Sequence, residues 1–519
     1  MELCRDSLGI YIEKICSKYC ENEAIVFAED GRRFSYKKLS YQVNLIVKCL
    51  ISLGIKKGDH IAIVSCNSPE WLIVFLATVK IGAVLICLNY TSTEKELYYT
   101  LKHSDSTVLI VSDKDLVEKI NIEKFDFLKI ILKMKTLFNV GFVISQMKEI
   151  SDDLLSKVAS DVSCNDLASI IYTSGTTGYP KGVMLTHKAI INGVLSHKVF
   201  YKYTPKDRVL VSVPLHHIMG GYYTALMALF SGSTILLMKK FQTTPALKFM
   251  VQEKCTGFHG VPTMYQFLLN KYESYNLSTL RVGMVAGAIS SHTLLFEIMD
   301  KLHIEELNLA YGQTETLCVT QIVIKDKSNP KISTVGKTTE GIKIKICNIS
   351  NGNILPENTC GEILVQTPYR MSGYYKDTEN TNKVLVDNWI HTGDMGYLDT
   401  DGYLYVNGRL KDIIIRGGEN ISPKEIEDIL TKHNFIESAV VVGVPDKNMG
   451  EEIFAFIQKK QPSDLSKEDI LNYLRNNIAP YKCPKYIKFI DSFPMTSNGK
   501  IKRNILKEIA IDSFLYVCN

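Results

Sequence analysis

One segment of the chain combines hydroxyl groups, glycines and a cation in an order that suits a polyphosphate. Residues 172–187 read YTSGTTGYPKGVMLTH, and an apolar run typical of a strand leads into them. Such a loop exposes backbone N–H groups, adds hydroxyl donors and reaches Lys181, so it can surround phosphate oxygens. A flexible surface loop is the plainer alternative, and the lysine within the ordered run argues against it. The predicted phosphate contacts are Thr173, Ser174, Gly175, Thr176, Thr177, Gly178 and Lys181.

Carboxylates, an arginine and a tyrosine follow in later motifs that suit the rest of a nucleotide. Within YGQTET at residues 311–316, Glu315 suits a Mg²⁺ carried on ATP phosphates, and Tyr311 offers an aromatic face for adenine. Asp394 stands among glycines and can accept hydrogen bonds from two ribose hydroxyls, while the planar guanidinium of Arg409 can bind ribose and phosphate oxygens. Taken singly, these residues are more often a helix cap, a core tyrosine, a turn aspartate and a surface ion pair.

A lysine near the C-terminus suits a reaction between two anions. Residues 494–500 read PMTSNGK, and Asn498 with Gly499 predicts a tight turn that presents Lys500 at the tip of a loop. When a carboxylate attacks ATP, two anions approach each other, and a cation placed between them lowers the barrier. Composition alone favours an ordinary solvated lysine here, so this interpretation depends on the resemblance that follows.

These segments resemble, in the same order, the motifs of the adenylate-forming superfamily, which includes acyl-CoA synthetases, luciferases and adenylation domains. Besides the three segments above, HTGD at 391–394 and GRLKDIIIRGGENI at 408–421 match, and the resemblance covers nearly the whole chain. It implies that ATP, with Mg²⁺ at Glu315, activates a carboxylic acid as an acyl adenylate. The implied catalytic residues are Thr173, Lys181, Glu315 and Lys500. Beyond the phosphate loop, the implied ATP and AMP contacts are Gly287, Ala288, Tyr311, Gly312, Gln313, Thr314, Glu315, Asp394, Arg409 and Lys500.

The resemblance also implies where the acid lies. His217 matches the aromatic or histidine gate of the family, and His216 stands where phenylalanine is common. Residues 258–265, FHGVPTMY, are similar to fatty-acyl synthetases for medium and long chains. No acidic residue stands out to pair with a substrate amino group, which favours a fatty or aryl acid over an amino acid. The implied acid pocket contains His217, Met219, Val261, Met264, Gly287, Gly312 and Leu317.

The run RGGENI at 416–421 is similar to acyl-CoA and aryl-CoA ligases rather than to peptide-synthetase domains. Gly417 and Gly418 are therefore implied to line the path of the CoA thiol, with Lys411 as the hinge of a moving domain. The leading hypothesis is a medium- or longer-chain fatty acid–CoA ligase. An aryl-acid–CoA ligase and an acid–AMP ligase that loads a carrier-protein phosphopantetheine are the alternatives. A catalytically inactive nucleotide-binding module is disfavoured, because the motif side chains are all present.

Three lysines of the C-terminal region lie close together in the chain and have two interpretations. They either meet the phosphates of CoA or form a solvated face. They are Lys482, Lys485 and Lys488.

Short apolar strands alternate with amphipathic helices up to about residue 330, which predicts parallel sheets covered by helices. The stretch 71–88 is long enough for a membrane span, but Lys80 and Gly82 favour a buried helix followed by a strand. A helix is predicted near 220–230. After residue 330 the strands are short, and Asp401-Gly402 predicts a hairpin.

From residue 411 the pattern is mixed again, with Ser422 as the predicted cap of a helix that begins at Pro423. We predict an α/β fold with a large N-terminal domain of two α/β lobes and a small β-rich subdomain, followed by a mobile α+β C-terminal domain. The predicted domains are residues 1–410, which bind AMP, and residues 411–519, which carry Lys500.

Composition narrows the class of protein. Of 519 residues, 46% are hydrophobic and 22% charged, which excludes a disordered chain. The net charge of +5 gives little reason to expect a nucleic-acid partner. The 13 cysteines are scattered without a CxxC pair, and the N-terminal residues mix charged with apolar side chains. We therefore expect reduced thiols in a cytoplasmic protein without a transmembrane segment, acting on an acid, ATP and CoA.

Overall fold

The computed structural model of the chain describes residues 2–112, 124–139, 150–173, 180–288, 290–460, 464–496 and 499–517. Helices alternate with strands over most of these ranges, as the apolar spacing predicts. The described α-helices are Leu8–Lys18, Tyr36–Ser52, Pro69–Lys80, Glu94–His103, Met134–Leu137, Asp152–Ser160, His187–Tyr201, Ile218–Gly220, Met227–Phe230, Thr243–Gln252, Pro262–Leu269, His292–Lys301, Thr378–Val384, Pro423–Thr431, Lys467–Arg475 and Arg503–Val517.

A nine-stranded sheet forms the first lobe. Its six central strands run parallel, because the chain returns through helices between them, and antiparallel strands extend both ends. In sheet order the strands are β15 (Lys337–Thr338), β14 (Leu317–Ile324), β13 (Glu306–Gln313), β12 (Val282–Ala286), β11 (Gly257–Gly260), β9 (Arg208–Val211), β10 (Thr234–Leu237), β1 (Glu23–Phe27) and β2 (Arg33–Ser35).

A seven-stranded sheet forms the second lobe and carries the phosphate-loop segment at one edge. Five of its strands are parallel, and the two edge strands next to the phosphate loop are antiparallel. In sheet order they are β18 (Gly373–Tyr374), β8 (Lys181–Thr186), β7 (Leu167–Thr173), β4 (Val84–Leu88), β3 (His60–Val64), β5 (Val108–Val111) and β6 (Ile130–Lys133).

One continuous hydrophobic core joins the two lobes, and the apolar stretch 71–88 lies inside it. The stretch forms the buried helix Pro69–Lys80 and strand β4, with Gly82 at φ +72° between them. Lys80 is only 3% exposed, and its ammonium bonds to Glu13 at 3.0 Å and Asn44 at 2.9 Å. The predicted helix and strand are confirmed. Among the described residues, no helix is long and apolar enough to span a membrane.

The β-rich region predicted after residue 330 is present and forms an antiparallel sheet. Its strands are β16 (Lys343–Cys347), β17 (Gly361–Gln366), β20 (Trp389–Leu398) and β19 (Leu385–Val386), with β21 (Leu404–Arg409) pairing farther along the side of β20 that also pairs with β19. The predicted hairpin connects β20 to β21, with Gly402 at φ +81°. Beyond an irregularity between Met395 and Gly396, the pairing of these two strands places Asp394 directly opposite Arg409.

The C-terminal region has its own sheet and its own cores. Hydrophobic clusters that begin at Ile414 are separate from the large core, which ends at Leu404. A boundary at residue 410 stays a prediction, while the predicted α/β fold class is confirmed. In sheet order the strands are β23 (Glu419–Ile421), β22 (Ile414–Arg416), β25 (Gly450–Lys459) and β24 (Ile436–Asp446), with β26 (Tyr486–Phe489) parallel to β25.

Two local predictions need more detail. The helix expected near 220–230 is present, and its middle part, Gly221–Leu226, is a π-helix in which the Thr224 hydroxyl donates to the carbonyl of Met219 five residues earlier. Ser422 does occupy the cap position before Pro423, but its hydroxyl makes no cap bond. It donates instead to the carbonyl of Asn407 at 2.9 Å, and so ties this helix to strand β21.

The first testable prediction concerns Gly336, which joins the first lobe to the β-rich sheet. Its carbonyl accepts a hydrogen bond from Leu404, its φ is +91°, and an added Cβ would lie 2.2 Å from the backbone of Gln321. Gly336→Ala should cost about 1 kcal/mol from the positive φ and a further ~1–3 kcal/mol from overpacking. Gly352 has φ +70° with nothing within 4 Å, so Gly352→Ala is the control for backbone strain alone. Equal melting temperatures of the two variants would contradict this account.

Candidate active site

Lys181 and Thr173 stand opposite each other at the mouth of the hairpin formed by β7 and β8. The ammonium of Lys181 lies 5.0 Å from the ring centroid of Tyr374. Residues 174–179 form the connection, and they lie outside the described residues. The predictions for Ser174, Gly175, Thr176, Thr177 and Gly178 therefore stay predictions.

Glu315 lies beside Lys181, because both side chains contact Tyr374. The Tyr374 hydroxyl donates to Oε1 of Glu315 at 2.9 Å, and the backbone carbonyl of Glu315 accepts from Met371 at 2.8 Å. Sequence analysis missed Tyr374. Its motif signal is weak, since a tyrosine in a turn-rich stretch has no distinctive neighbour in the chain.

Glu315 is the residue that would hold Mg²⁺. Its second carboxylate oxygen has no hydrogen-bond partner among the described residues, and its neighbour Thr314 is buried. Magnesium is commonly held by one or two carboxylates together with substrate phosphates, so one free oxygen fits this ion. Within the described ranges, no group of three or more His, Cys, Asp or Glu residues could bind a metal without such help.

Asp394 is the centre of a hydrogen-bond cluster that draws on both the first lobe and the β-rich sheet. Its Oδ2 accepts from the Tyr311 hydroxyl at 2.8 Å and from Nε2 of Gln313 at 2.6 Å. Its Oδ1 lies 3.1 Å from Nε of Arg409. The carboxylate is 6% exposed whereas the Arg409 side chain is 51% exposed, so the arginine can turn toward a ligand while the aspartate stays fixed.

Lys500 comes from the C-terminal region but its side chain lies between these groups and the predicted acid pocket. A Cβ placed on Gly287 would lie 3.3 Å from Cε of Lys500 and 3.4 Å from Val261. The N–H of Gly499 donates to the carbonyl of Thr496 at 3.0 Å, while Asn498 of the predicted turn lies outside the described residues. The exposed Ala288 follows Gly287 at the end of β12.

Among the described residues, one hydrogen bond joins the Lys500 loop to the first lobe. The hydroxyl of Thr263 donates to the carbonyl of Gly499 at 3.0 Å, across 236 residues of chain. Burial lowers the pKa of Lys500, the neighbouring Arg409 lowers it further, and Asp394 opposes this. Thr263 was not predicted, although it lies inside the segment 258–265 that sequence analysis quoted.

The side chains assigned to the acid pocket are apolar and buried, with His217 at their edge. Met219, Val261, Met264 and Leu317 are at most 7% exposed. Leu317 has φ +56°, and a Cβ on Gly312 would lie 2.1 Å from its carbonyl oxygen, so the glycine permits this tight turn.

The histidines of this region are neutral. Burial lowers the pKa of His217 to about 3, with additional lowering by Lys500 and His216, and burial lowers the pKa of His216 to about 4. His217 Nδ1 faces the N–H of Met219 at 3.5 Å. Because Nδ1 accepts from Met219, the neutral imidazole carries its proton on Nε2 and can donate a hydrogen bond there.

Gly417 and Gly418, which were assigned to the thiol path, do not contact the other described site residues. Gly417 and Gly418 are exposed and form the two-residue turn between β22 and β23, with φ of +59° and +88°. Two positive φ values are typical of a type I′ hairpin turn. The predicted hinge, Lys411, is exposed in the 3₁₀ turn Leu410–Asp412.

The three lysines considered for CoA phosphates have partners within the C-terminal region. Lys482 pairs with Glu425 at 2.6 Å, and Lys485 with Asp446 at 3.1 Å. Lys488 donates to Ser513 at 3.1 Å. These contacts favour the solvated face over the phosphate site.

Comparison with known proteins is consistent with this geometry. Residues 12–375 match the model of the AMP-binding enzyme family, and residues 425–500 match that of the AMP-binding enzyme C-terminal domain. The chain belongs to the AMP-binding enzyme family. Within this adenylate-forming superfamily it falls in the acyl-CoA synthetase branch, as the resemblance predicts, and it is an enzyme.

Relatives and a solved structure match over nearly their whole length. The chain is 34% identical to "Putative acyl-CoA synthetase YngI" of Bacillus subtilis (strain 168), covering 99% of this chain and 98% of the relative. It is 30% identical to the mitochondrial medium-chain acyl-CoA ligase ACSF2 of Mus musculus, covering 98% and 88%. The crystal structure of ATP-bound MatB from Rhodopseudomonas palustris matches with a TM-score of 0.85 and 26% identity, covering 98% and 100%.

The buried histidines of this AMP-binding enzyme predict sensitivity to acid. Burial lowers the pKa of His187, His197, His216 and His259 to about 4, and that of His217 to about 3. In the unfolded chain these histidines have a pKa of about 6.5. Their neutral forms therefore contribute fully to the free energy of unfolding above that pH, and this contribution is lost as the pH falls toward 4. Lowering the pH from 6.5 to 5 should reduce the free energy of unfolding by about 2 kcal/mol for each of these histidines.

The measurement is the melting temperature at pH 7 and pH 5 for wild type, His216→Phe and His292→Phe. His216 contacts the ring of Tyr90, and phenylalanine keeps that contact, whereas His292 is exposed. His216→Phe should reduce the loss of stability at pH 5, and His292→Phe should leave it unchanged. Identical losses in all three proteins would exclude His216 as a source of the acid sensitivity.

Proposed function

We propose that this enzyme activates a medium- or longer-chain fatty acid with ATP and transfers the acyl group to CoA. In the first step a carboxylate oxygen attacks the α-phosphorus, the bond to pyrophosphate breaks, and an acyl adenylate forms. In the second step the thiol sulfur attacks the acyl carbonyl, AMP leaves, and a thioester forms. The observation that carries the proposal is the position of Lys500 between the Asp394 cluster and the apolar wall at Val261.

The nucleotide roles follow from the contacts around that position. Lys181 and the loop 174–178 bind the outer phosphates, and Glu315 would hold a Mg²⁺ that neutralises phosphate charge. Asp394, fixed by three donors, presents its remaining lone pairs to the ribose hydroxyls, and Arg409 reaches the ribose and phosphate oxygens. Gly287, Ala288 and Tyr311 form the adenine side.

Lys500 acts on the first step. Its ammonium is buried beside Arg409, and both cations lack a neighbouring phosphate until ATP binds. The α-phosphate restores the charge balance, and the lysine then stabilises the negative charge that accumulates there in the transition state. The single bond from Thr263 to Gly499 is weak enough to break when the loop withdraws for the second step.

Removal of the Asp394 charge should weaken ATP binding. Asp394→Asn keeps the shape of the side chain but loses the charged acceptor, which is worth about 1.5–3 kcal/mol, so affinity should fall roughly ten- to hundredfold. Asp399→Asn is the control, because Asp399 lies on the same hairpin and pairs with Lys331. Calorimetric titration with ATP checks this, and unchanged affinity in Asp394→Asn would remove the ribose assignment.

The two half-reactions should respond to different residues, if residues 411–519 swing about Lys411 between two poses. Lys500→Ala should abolish adenylate formation but still convert supplied acyl adenylate and CoA into thioester. Gly418→Leu should form adenylate and release pyrophosphate but transfer little acyl group. Gly352→Leu controls for strain, since Gly352 also has a positive φ with open space around it. Loss of both half-reactions in Lys500→Ala and in Gly418→Leu alike would favour a single fixed site.

The acid should be identified by pyrophosphate release across a panel of acids, with and without CoA. Each buried methylene adds up to about 0.8 kcal/mol, so affinity should rise with chain length and stop where the pocket ends. The apolar walls and the name of the medium-chain relative support a fatty acid. A flat response with strong turnover of benzoate or cinnamate would indicate an aryl-acid ligase. Product on a holo-carrier protein but none with free CoA would indicate a carrier-loading enzyme.

A further inference from the structure

Tyr374 contacts two charged side chains in different ways. Its hydroxyl donates to Oε1 of Glu315 at 2.9 Å, and its ring lies 5.0 Å from the ammonium of Lys181. The residue is 7% exposed, so both contacts are largely shielded from water. In the described ranges neither Lys181 nor Glu315 has an ion-pair partner within 4 Å, and the nearby charge of Lys181 helps to lower the pKa of Asp377. These two opposite charges therefore share one neutral neighbour.

The backbone around Tyr374 is fixed to both lobes. Strand β18 pairs with β8, the strand that carries Lys181, through Gly373 opposite Met184. Met371 donates to the carbonyl of Glu315, and the N–H of Tyr374 donates to the hydroxyl of Thr381 at 2.9 Å. The segment 371–375 thus joins the phosphate-loop hairpin of one sheet to the Glu315 turn of the other.

We propose that Tyr374 is a positioning residue that keeps Lys181 and Glu315 apart and available for the phosphates and the metal of MgATP. The inference rests on the proposed function of these two residues. A lysine and a glutamate that contact the same side chain attract each other, and a direct pair would neutralise both charges before the nucleotide arrives.

Tyr374 prevents a direct ion pair between Lys181 and Glu315, because its ring leaves the lysine charged and its hydroxyl leaves the glutamate charged. The hydroxyl occupies one oxygen of Glu315 and fixes the carboxylate plane, so that the other oxygen remains a ligand. The ring face attracts the ammonium of Lys181 through its quadrupole and leaves the three donors of the ammonium for phosphate oxygens. Phenylalanine would keep the second contact and lose the first, and leucine would lose both.

The experiment measures ATP affinity by calorimetric titration, once with Mg²⁺ and once with EDTA. Tyr374→Phe should bind ATP about tenfold more weakly than wild type in Mg²⁺ and equally well in EDTA, because the hydroxyl acts through the metal ligand. Tyr374→Leu should lose roughly a further two- to fivefold under both conditions. The matched control is Tyr375→Phe, because the Tyr375 hydroxyl also donates to a carboxylate, that of Asp105, at 2.7 Å.

A double-mutant cycle with Glu315→Gln separates positioning from a general loss of structure. If Tyr374 acts through Glu315, then Tyr374→Phe should weaken MgATP binding less than twofold once Glu315 is replaced. Equal MgATP affinities of wild type and Tyr374→Phe, or an equal loss in EDTA, would overturn the role. ATP binding by wild type without thioester from any acid would contradict the proposed function alone, since the Tyr374 comparison depends only on ATP binding.

Discussion

A carboxylate and a triphosphate repel each other, and a site that joins them has to hold a cation where they meet. In the proposed reaction Lys500 holds that position, where burial and Arg409 both disfavour its charge and Asp394 opposes them. Asp394 also forms an ion pair with Arg409 at 3.1 Å, so one carboxylate faces two cations and the cluster has an excess positive charge. A phosphate anion bound there would balance this excess, so electrostatic attraction should contribute to ATP binding.

The charged side chains of the site come from separate segments of the chain that the fold brings together. The first lobe supplies Tyr311, Gln313 and Glu315, and the paired strands β20 and β21 supply Asp394 opposite Arg409. The C-terminal region supplies Lys500 on a loop that the first lobe holds by one hydrogen bond. Strong packing within each part, with a single hydrogen bond at the Lys500 loop among the described residues, fits the proposal that this lysine is withdrawn for the second step.

Much of this arrangement could be predicted from the sequence, because its signals are local. Apolar spacing predicts the strands and helices, and the resemblance of the motifs to the adenylate-forming superfamily implies roles for Glu315, Asp394, Arg409 and Lys500 that remain predictions. Contacts between distant segments could not be predicted in this way. The Tyr374 hydroxyl contacts Glu315, which lies 59 residues earlier in the chain, because the two-residue strand β18 joins the edge of a sheet. A strand of two residues is too short for its sequence pattern to predict which residues it pairs with.

Two local details of the fold also depend on contacts that the sequence pattern does not show. The helix predicted near 220–230 is present, but its middle is a π-helix, in which Thr224 donates to the carbonyl of Met219. Ser422 has the right type and position for a helix cap, but its hydroxyl meets a carbonyl of strand β21. In both places a contact between side chain and backbone overrides a correct local preference.

The antiparallel pairing of Thr173 with Lys181 has a consequence for sequence variation. Side chains alternate between the two faces of a strand, so a slip of one residue in β8 would turn the lysine to the opposite face. An insertion in the loop between Thr173 and Lys181 would not turn the lysine to the other face, because it leaves the register of both strands unchanged. Homologous chains should therefore vary in the length of this loop more readily than in the length of β8, which should tolerate no single-residue insertion.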